Sequence, residues 1–170
     1  VMLWGDSNAS HYIGIIGAIA DEAGFSFRDI SVYSCPPLLS DSARFVPDKR
    51  AKDCRVSTAS VVAALNSYDV VIISAAWSYY QEISDKFFDS LFSTIKALTN
   101  SGKYVIIMSK APEITGFKLD CTERARISPL EMSCPYTATI ETYIKDANEK
   151  LEMFAKQNRN VAFFDVTPYL

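Results

Sequence analysis

The chain has 170 residues, of which 49% are hydrophobic, and its formal net charge is −3. This length and this apolar fraction predict one globular domain over residues 1–170 and exclude a disordered chain. The absence of a basic block excludes an electrostatic basis for binding nucleic acid, and no apolar run approaches the length of a membrane-spanning helix. Because Val1 enters a predicted strand directly and Leu170 closely follows another, we expect the chain to be a piece of a longer protein.

The first predicted strand leads directly to a serine. Val1–Trp4 is apolar, Gly5-Asp6-Ser7 stops the strand, and a helical pattern follows. That pattern is marked by Tyr12, Ile15, Ile16 and Ile19. A serine at the start of a helix lies among unpaired backbone N–H groups, which favour negative charge. Ser7 is therefore a candidate nucleophile whose oxyanion would be stabilised there. The structural alternative is a helix cap, because Asp and Ser are preferred at that position.

Strands and helices then alternate through the first half of the chain. Gly24 is placed to end the first helix in a left-handed conformation. The following predicted elements are a strand over Phe27–Tyr33, a Cys-Pro-Pro turn at 35–37, a polar loop through Lys52, a helix over Arg55–Leu65 with Val61, Val62 and Leu65 on its apolar side, and a strand over Asp69–Ala76. The unbroken apolar run of the last strand is typical of a strand covered on both faces of a parallel sheet.

The second half continues the alternation. Its predicted elements are a helix over 83–99 with Ile83, Phe87, Leu91, Ile95 and Leu98 in register, a cap at Gly102, a strand over Lys103–Ser109, a long loop over Lys110–Pro135, a helix marked by Ile140, Tyr143, Ala147, Leu151 and Phe154, and a strand over Val161–Asp165. The whole pattern predicts an α/β fold. We expect a three-layer α/β/α sandwich around a five-stranded parallel sheet in the flavodoxin-like order 2-1-3-4-5. Ser7, Cys35 and Trp77 would then meet beyond the carboxyl end of the first strand.

The four cysteines of the chain are informative about the redox compartment of the protein. The interpretation that we favour is two disulfides, Cys35–Cys54 and Cys121–Cys134, each closing one irregular loop, in an oxidising compartment. The alternative is four free, buried cysteines. The cysteine and histidine spacing does not match a zinc site, so we expect no metal.

A nucleophilic serine needs a base, and His11 is the one histidine of the chain. It lies four residues after Ser7, so both would lie on one face of the predicted helix. Catalytic bases are usually presented from a separate loop and oriented by a carboxylate. We therefore expect His11 to line the site or to be structural, and the catalytic base to be missing from this chain. The sequence has no Gly-x-Gly-x-x-Gly loop for a dinucleotide, and Ala75-Ala76-Trp77 replaces the acidic residue of a response-regulator receiver.

Several stretches together resemble the SGNH (GDSL-like) hydrolase superfamily. The closer similarity is to the SGNH domains fused to acyltransferase-3 membrane domains. The stretches that carry it are Gly5-Asp6-Ser7-Asn8, Cys35-Pro36-Pro37-Leu38, Cys54, Val70–Trp77 and Val105–Pro112. They occur in the family's order and cover nearly the whole chain.

The resemblance implies a carbohydrate O-acyltransferase that works through an acyl-enzyme on Ser7. The acyl group would be acetyl, passed from acetyl-CoA by the acyltransferase-3 membrane domain of the same polypeptide. The acceptor would be a polysaccharide, lipopolysaccharide O-antigen or another envelope glycan. The resemblance places the chain as a periplasmic domain of a bacterial inner-membrane protein, with no cofactor of its own. An SGNH carbohydrate esterase, with water as the acceptor, is the alternative at the same site.

The chain also departs from the family pattern around the site. Asn8 stands where the fused families usually have His, and Ala76-Trp77 stands where the superfamily has its oxyanion Asn. The remaining oxyanion donors would be the Ser7 N–H together with an N–H near Ser34 or Cys35, or one near Trp77; Asp6, Asn8 and His11 would line the site. The family's Asp-x-x-His block is expected beyond Leu170, and Asp165 is expected only to cap its strand.

A non-catalytic module that binds glycan or supports the membrane domain is the alternative from another class. Trp77, Tyr79 and Tyr80 follow the third strand, and aromatic rings there could stack on a sugar. The same rings could equally pack at the rim of the domain.

Overall fold

The computed structural model describes residues 1–115, 119–127, 134, 137–139 and 141–169. Pro135, Ile140 and Leu170, which bound or mark predicted elements, lie outside the described residues. Within these ranges no helix combines the length and the apolarity needed to cross a membrane.

The core of the fold is a five-stranded parallel sheet. Its strands are β1 (Met2–Gly5), β2 (Arg28–Asp29), β3 (Val70–Ser74), β4 (Tyr104–Met108) and β7 (Val161–Phe164). They lie in the order β2-β1-β3-β4-β7, which is 2-1-3-4-5 when these five strands are numbered along the chain. The predicted fold class and strand order are confirmed.

Two apolar clusters lie on opposite faces of this sheet. Met2 and Trp4 point into the larger cluster, whereas Leu3 points into the smaller one, as expected for alternating residues of a strand. The larger cluster lies under α3 (Asp48–Ala64), α4 (Trp77–Ile83), α5 (Phe87–Asn100) and α7 (Thr142–Lys156). The smaller cluster lies under α1 (Ser7–Ser10) and α2 (Ile13–Ala23). Burial on both faces explains why the strands read as continuous apolar runs.

The first predicted helix is interrupted. α1 ends at Ser10 and α2 begins at Ile13, so the expectation of one continuous helix behind Ser7 is wrong. The hydroxyl of Tyr12, between the two helices, donates to the carbonyl of Ser109 at 2.9 Å, which ties the break to the end of β4. Gly24 ends α2 with φ of 72°, as predicted.

The edge strand β2 is much shorter than the predicted Phe27–Tyr33. The Asp29 carboxylate accepts the Ser31 backbone N–H at 3.0 Å, on the side of this edge strand that faces away from β1. The chain nevertheless stays beside β1, because Ile30 N–H donates to Leu3 and Val32 N–H donates to Gly5, at 2.8 and 2.9 Å. The residues after Val32 are therefore delivered next to the Ser7 turn.

Helix α3 begins at Asp48, seven residues before the predicted start at Arg55. Its first turns are charged, which is why they were interpreted as a loop, but Cys54, Ser57 and Val61 form a buried line along the helix. Val62, expected on the apolar side, is exposed, and Leu65 lies in a 3₁₀ turn over Leu65–Ser67.

The predicted helix over 83–99 corresponds to α5, which begins at Phe87, and α4 is a separate helix before it that was not predicted. Ile83 ends α4 and is exposed, so its assignment to the core was wrong. The other four predicted core positions of this segment, Phe87, Leu91, Ile95 and Leu98, are fully buried. Gly102 follows α5 with φ of 83°, as predicted for its cap.

The predicted long loop over Lys110–Pro135 contains regular structure. It includes β5 (Glu113–Thr115) and α6 (Leu119–Ile127), and β5 pairs antiparallel with β6 (Thr137–Thr139). These elements are short, so apolar periodicity could not identify them. In α7, Ala147, Leu151 and Phe154 are buried as predicted. The buried position near its start is Ile144, whereas Tyr143 is 43% exposed.

Candidate functional site

The carboxyl ends of β1 and β3 meet at Gly5 and Ser74, which are paired in the sheet. A Cβ at position 5 would lie 1.7 Å from the Ser74 carbonyl oxygen and 2.9 Å from the Cβ of Ala9. Only glycine allows strand β3 and the start of α1 to approach this closely. Gly5 therefore fixes where the next two residues, Asp6 and Ser7, leave the sheet.

Asp6 holds the turn in place with both of its carboxylate oxygens. Oδ1 accepts the Asn8 backbone N–H at 2.7 Å and the Asn8 side-chain amide at 3.0 Å. Oδ2 accepts the Ala76 backbone N–H and the Tyr80 hydroxyl, both at 2.9 Å. The residue is only 2% exposed, so its charge is stabilised by these four donors. The first bond makes Asp6 the N-cap of α1, and the last two join α1 to the start of α4.

Ser7 is the first residue of α1 and is half-buried. In the part of the chain that the structure describes, neither its hydroxyl nor its backbone N–H makes a hydrogen bond. An N–H at this position has no acceptor inside the helix. Both groups are therefore available to a substrate.

The structure shows which of the candidate oxyanion donors already have a hydrogen-bond acceptor. The Cys35 N–H donates to Val32 and the Trp77 N–H donates to Ala75, each at 2.9 Å, so these two candidates are already occupied. The Ala76 N–H is held by Asp6. The backbone N–H of Ser34 makes no hydrogen bond with another described residue. Ser34 also has φ of 58°, the left-handed conformation, directly after the segment beside β1.

His11 is exposed and follows the last residue of α1. Its imidazole makes no hydrogen bond to Ser7 or to any other residue within the described ranges. α1 ends at Ser10, and His11 lies in the break before α2, with its backbone still in the right-handed helical conformation. No carboxylate of the described residues orients the ring, so His11 lacks the arrangement of a catalytic base in this part of the chain.

Two of the three aromatic side chains suggested for sugar stacking are buried. Trp77 has no exposed surface, and its Nε1 donates to the Met108 carbonyl at 3.0 Å. Tyr80 is 1% exposed and lies against Phe87. The stacking prediction is therefore wrong for Trp77 and Tyr80, which belong to the core. Tyr79 is 48% exposed and keeps an accessible ring.

A second polar cluster lies where β4 and β7 end. The Ser109 hydroxyl donates to Asp165 Oδ1 at 3.2 Å and accepts the Val166 N–H at 3.0 Å. The Thr167 N–H also donates to Asp165 Oδ1, at 2.9 Å, so Asp165 caps its strand as predicted. Burial acts to raise the pKa of Asp165, but the hydrogen bonds from Thr167 and Ser109 outweigh it and hold that pKa below its ordinary value.

Tyr12 connects this cluster to the break after α1. Burial, with a contribution from the Asp165 charge, raises the pKa of Tyr12 to about 12, so its hydroxyl stays a donor at neutral pH. The sequence analysis used Tyr12 only as a helix marker. A buried tyrosine hydroxyl needs a hydrogen-bond partner, and this general rule could have suggested that Tyr12 contacts another part of the fold.

Both predicted disulfides are present. Cys35–Cys54 joins the turn after β2 to α3, and Cys121–Cys134 joins α6 to the segment before β6. The alternative of four free cysteines is therefore excluded. Among the residues that the structure describes, no three His, Cys, Asp or Glu side chains are grouped to hold a metal ion.

A serine at the start of a helix behind the first strand of a 2-1-3-4-5 sheet, preceded by a glycine and a buried aspartate, defines a domain of the SGNH hydrolase type. The chain belongs to the family of SGNH domains that are fused to AT3 domains, whose model matches residues 1–170. The predicted resemblance is confirmed at this level. No curated protein matches the sequence.

A solved structure supports the fold. The periplasmic domain of a lipopolysaccharide acetyltransferase from Salmonella ser. Paratyphi A is similar to this chain with a TM-score of 0.67 and 15% sequence identity. The similarity covers 99% of this chain and 66% of that chain, so the chain spans less than two thirds of the length of its structural relative.

Proposed function

We propose that the domain transfers an acyl group to a carbohydrate hydroxyl through a covalent ester on Ser7. The observation that carries the proposal is the state of Ser7 itself. Its hydroxyl and N–H are unengaged among the described residues, at a helix start that Asp6 holds on two sides. A serine that served only as a structural cap would instead use its hydroxyl to bind the helix backbone, a role that Asp6 performs here.

The proposed reaction has two matched steps. In the first, Ser7 Oγ attacks the acyl carbonyl, its proton passes to a base, and that base protonates the leaving group of the donor. In the second, the glycan hydroxyl loses its proton to the same base and attacks the acyl-serine, and Ser7 Oγ recovers a proton. Each step passes through a tetrahedral oxyanion.

Two backbone N–H groups are proposed to stabilise that oxyanion, those of Ser7 and Ser34. Both are unengaged in the described part of the chain, and the hydrogen bond from Val32 to Gly5 brings the segment before Ser34 beside the Ser7 turn. Loss of one oxyanion donor typically costs about 10²–10³ in kcat, so a pair of donors is a substantial contribution to the rate.

The base is proposed to come from an Asp-x-x-His block elsewhere in the full-length polypeptide. His11 is exposed, and no hydrogen bond orients its ring within the described ranges. Asn8, at the position where the fused families usually have His, uses its amide to bind Asp6. Asn8 is therefore proposed as a residue that supports the turn, without a role in proton transfer.

The family supports a proposal for the acyl donor and the compartment. Because the family is defined by fusion to AT3 domains, we propose that the membrane domain of the same polypeptide delivers an acetyl group derived from acetyl-CoA. The acceptor would be a polysaccharide such as lipopolysaccharide O-antigen, and the domain would face the periplasm of a bacterial inner membrane. The two disulfides support an oxidising compartment of that kind. No cofactor is proposed for the domain itself.

Hydrolysis is the second candidate function, because Ser7 is only half-buried and water can reach an ester formed on it. In the full-length protein, an esterase would release free acetate faster than it acetylates any glycan. A transferase would do the reverse.

The test is Ser7→Ala in the full-length protein, with Ser10→Ala as the matched control on the same helix. The variant at Ser7 should abolish acetylation of the glycan, whereas the control should leave it within about twofold of the unchanged protein. If the Ser7 variant acetylates glycan at the normal rate, catalysis by this serine is excluded and the non-catalytic module, with the exposed ring of Tyr79 as its sugar contact, becomes the better account.

A further inference from the structure

A buried tyrosine on α4 reaches the turn that carries Ser7. Tyr80 is 1% exposed, and its hydroxyl donates to Asp6 Oδ2 at 2.9 Å across a separation of 74 residues. The other Asp6 oxygen binds the backbone and the side chain of Asn8, the residue after Ser7. A single carboxylate therefore links Tyr80 to the first turn of α1.

The hydroxyl of Tyr80 has no role in packing. Its ring lies 5.2 Å from the ring of Phe87 and 5.4 Å from that of Tyr79, contacts that a phenylalanine would make equally well. Burying a hydroxyl costs free energy unless it finds a hydrogen-bond partner, and the partner of the Tyr80 hydroxyl is Asp6. The role of the Tyr80 hydroxyl is therefore its hydrogen bond to the Asp6 carboxylate.

The hydrogen bond from Tyr80 to Asp6 is important because the Asp6 carboxylate is buried. No cation pairs with Asp6 among the described residues, so the carboxylate depends on four neutral donors, three of them from Asn8 and Ala76. Burial, assisted by the charge of Asp6, raises the pKa of Tyr80 far above its ordinary value, which keeps its hydroxyl protonated as a donor. Without Tyr80, Oδ2 would retain only the bond from Ala76, and the carboxylate could rotate toward other donors.

We propose that Tyr80 is a positioning residue, which acts through Asp6 to hold the Ser7 turn against the end of β3 in the geometry that the reaction needs. The inference rests on the proposed role of Ser7 as the nucleophile. It assigns a function to the aromatic residue that sequence reasoning had considered for sugar stacking.

The test is Tyr80→Phe in the full-length protein, assayed for acyl transfer. Loss of one hydrogen bond that orients the nucleophile should lower kcat about tenfold and leave KM for the acyl donor unchanged, because substrate binding does not use this bond. The matched control is Tyr104→Phe, which removes the hydroxyl of an exposed tyrosine at the amino end of β4 and should leave both parameters unchanged.

A double-mutant cycle with Asp6→Asn separates positioning from a general loss of stability. If Tyr80 acts through Asp6, Tyr80→Phe should cost much less in kcat when Asp6 is already Asn than it does alone. Equal losses in both backgrounds, or a normal kcat for Tyr80→Phe in a protein that Ser7→Ala inactivates, would overturn the inference while the proposed function stands. Full activity of Ser7→Ala would instead overturn the proposed function.

Should Tyr80→Phe fail to fold at the assay temperature, the cycle is replaced by the rate at which a fluorophosphonate probe labels Ser7 in this variant at a lower temperature, where it folds. The inference expects slower labelling than in the unchanged protein at the same temperature. Normal labelling of the variant would overturn it.

Discussion

Gly5 and Ser74 lie so close that a single added methyl group at position 5 would overlap the Ser74 carbonyl oxygen, at 1.7 Å. The neighbouring atom is backbone in a buried strand, so it cannot move aside as a flexible side chain would. The position of Ser7 therefore depends on the absence of a side chain two residues earlier.

Gly5→Ala should destabilise the domain and displace the serine. Overpacking in a core costs about 1–3 kcal/mol, and here the clash is with main chain, so we expect the upper end of that range. A displacement of about 1 Å in a catalytic group can reduce the rate 10²-fold, so acyl transfer should fall at least tenfold in the molecules that remain folded. Chemical denaturation and the transfer assay measure the two effects.

Gly14→Ala is the matched control for this substitution. A Cβ at position 14 of α2 meets no atom within 4 Å, and alanine is favoured over glycine in a helix by about 1 kcal/mol. This variant should be as stable as the unchanged protein or more so, with normal activity. A Gly5→Ala protein with unchanged stability would contradict the close approach at Ser74.

Breaking the Cys35–Cys54 disulfide should loosen the turn after β2. The bond closes a loop of 19 residues, and removal of a native disulfide of this size typically lowers the free energy of unfolding by about 2–4 kcal/mol. We expect that loss in a Cys35→Ala/Cys54→Ala variant, measured by denaturation without reductant.

Thiol titration checks the pairing independently. Unreduced, denatured protein should show almost no reactive thiols, because no cysteine is free in the structure. Four reactive thiols would contradict both disulfides and remove their support for an oxidising compartment.

Asp165 should make stability depend on pH in the acid range. Its pKa in the folded state lies below the ordinary value of 3.8, since the hydrogen bonds from Thr167 and Ser109 outweigh the effect of burial. A depressed pKa contributes stability above that ordinary value, and this contribution is lost as the pH falls through the lower, folded-state pKa. Asp165→Asn should therefore be less stable than the unchanged protein at neutral pH, and the difference should shrink below about pH 4. A difference that does not vary with pH would contradict this role.

Apolar patterning was enough to predict the sheet. Runs such as 69–76 indicated strands buried on both faces, and their alternation with helices gave the order 2-1-3-4-5. The position of the candidate nucleophile could also be predicted, because the strand, the Gly5-Asp6-Ser7 turn and the helix are adjacent in the chain.

The parts that sequence could not predict depend on contacts between distant residues or on local polar bonds. The Asp6–Tyr80 hydrogen bond spans 74 residues, and no local pattern in the chain reports it. The Asp29 carboxylate accepts the Ser31 N–H just beyond β2, a local polar bond that apolar patterning does not report. The occupied N–H groups of Cys35 and Trp77 likewise become visible only once the turns are built.

The most direct test of the account is to look for the acyl-enzyme. The full-length protein would be incubated with its acetyl donor in the absence of glycan, quenched in acid and digested, and the peptide containing Ser7 analysed by mass spectrometry. The account predicts an acetyl ester on Ser7 that is discharged when glycan is added and that is absent from Ser7→Ala. Acetylation of glycan by a protein that never carries an acetyl group on Ser7, under the same conditions, would contradict it.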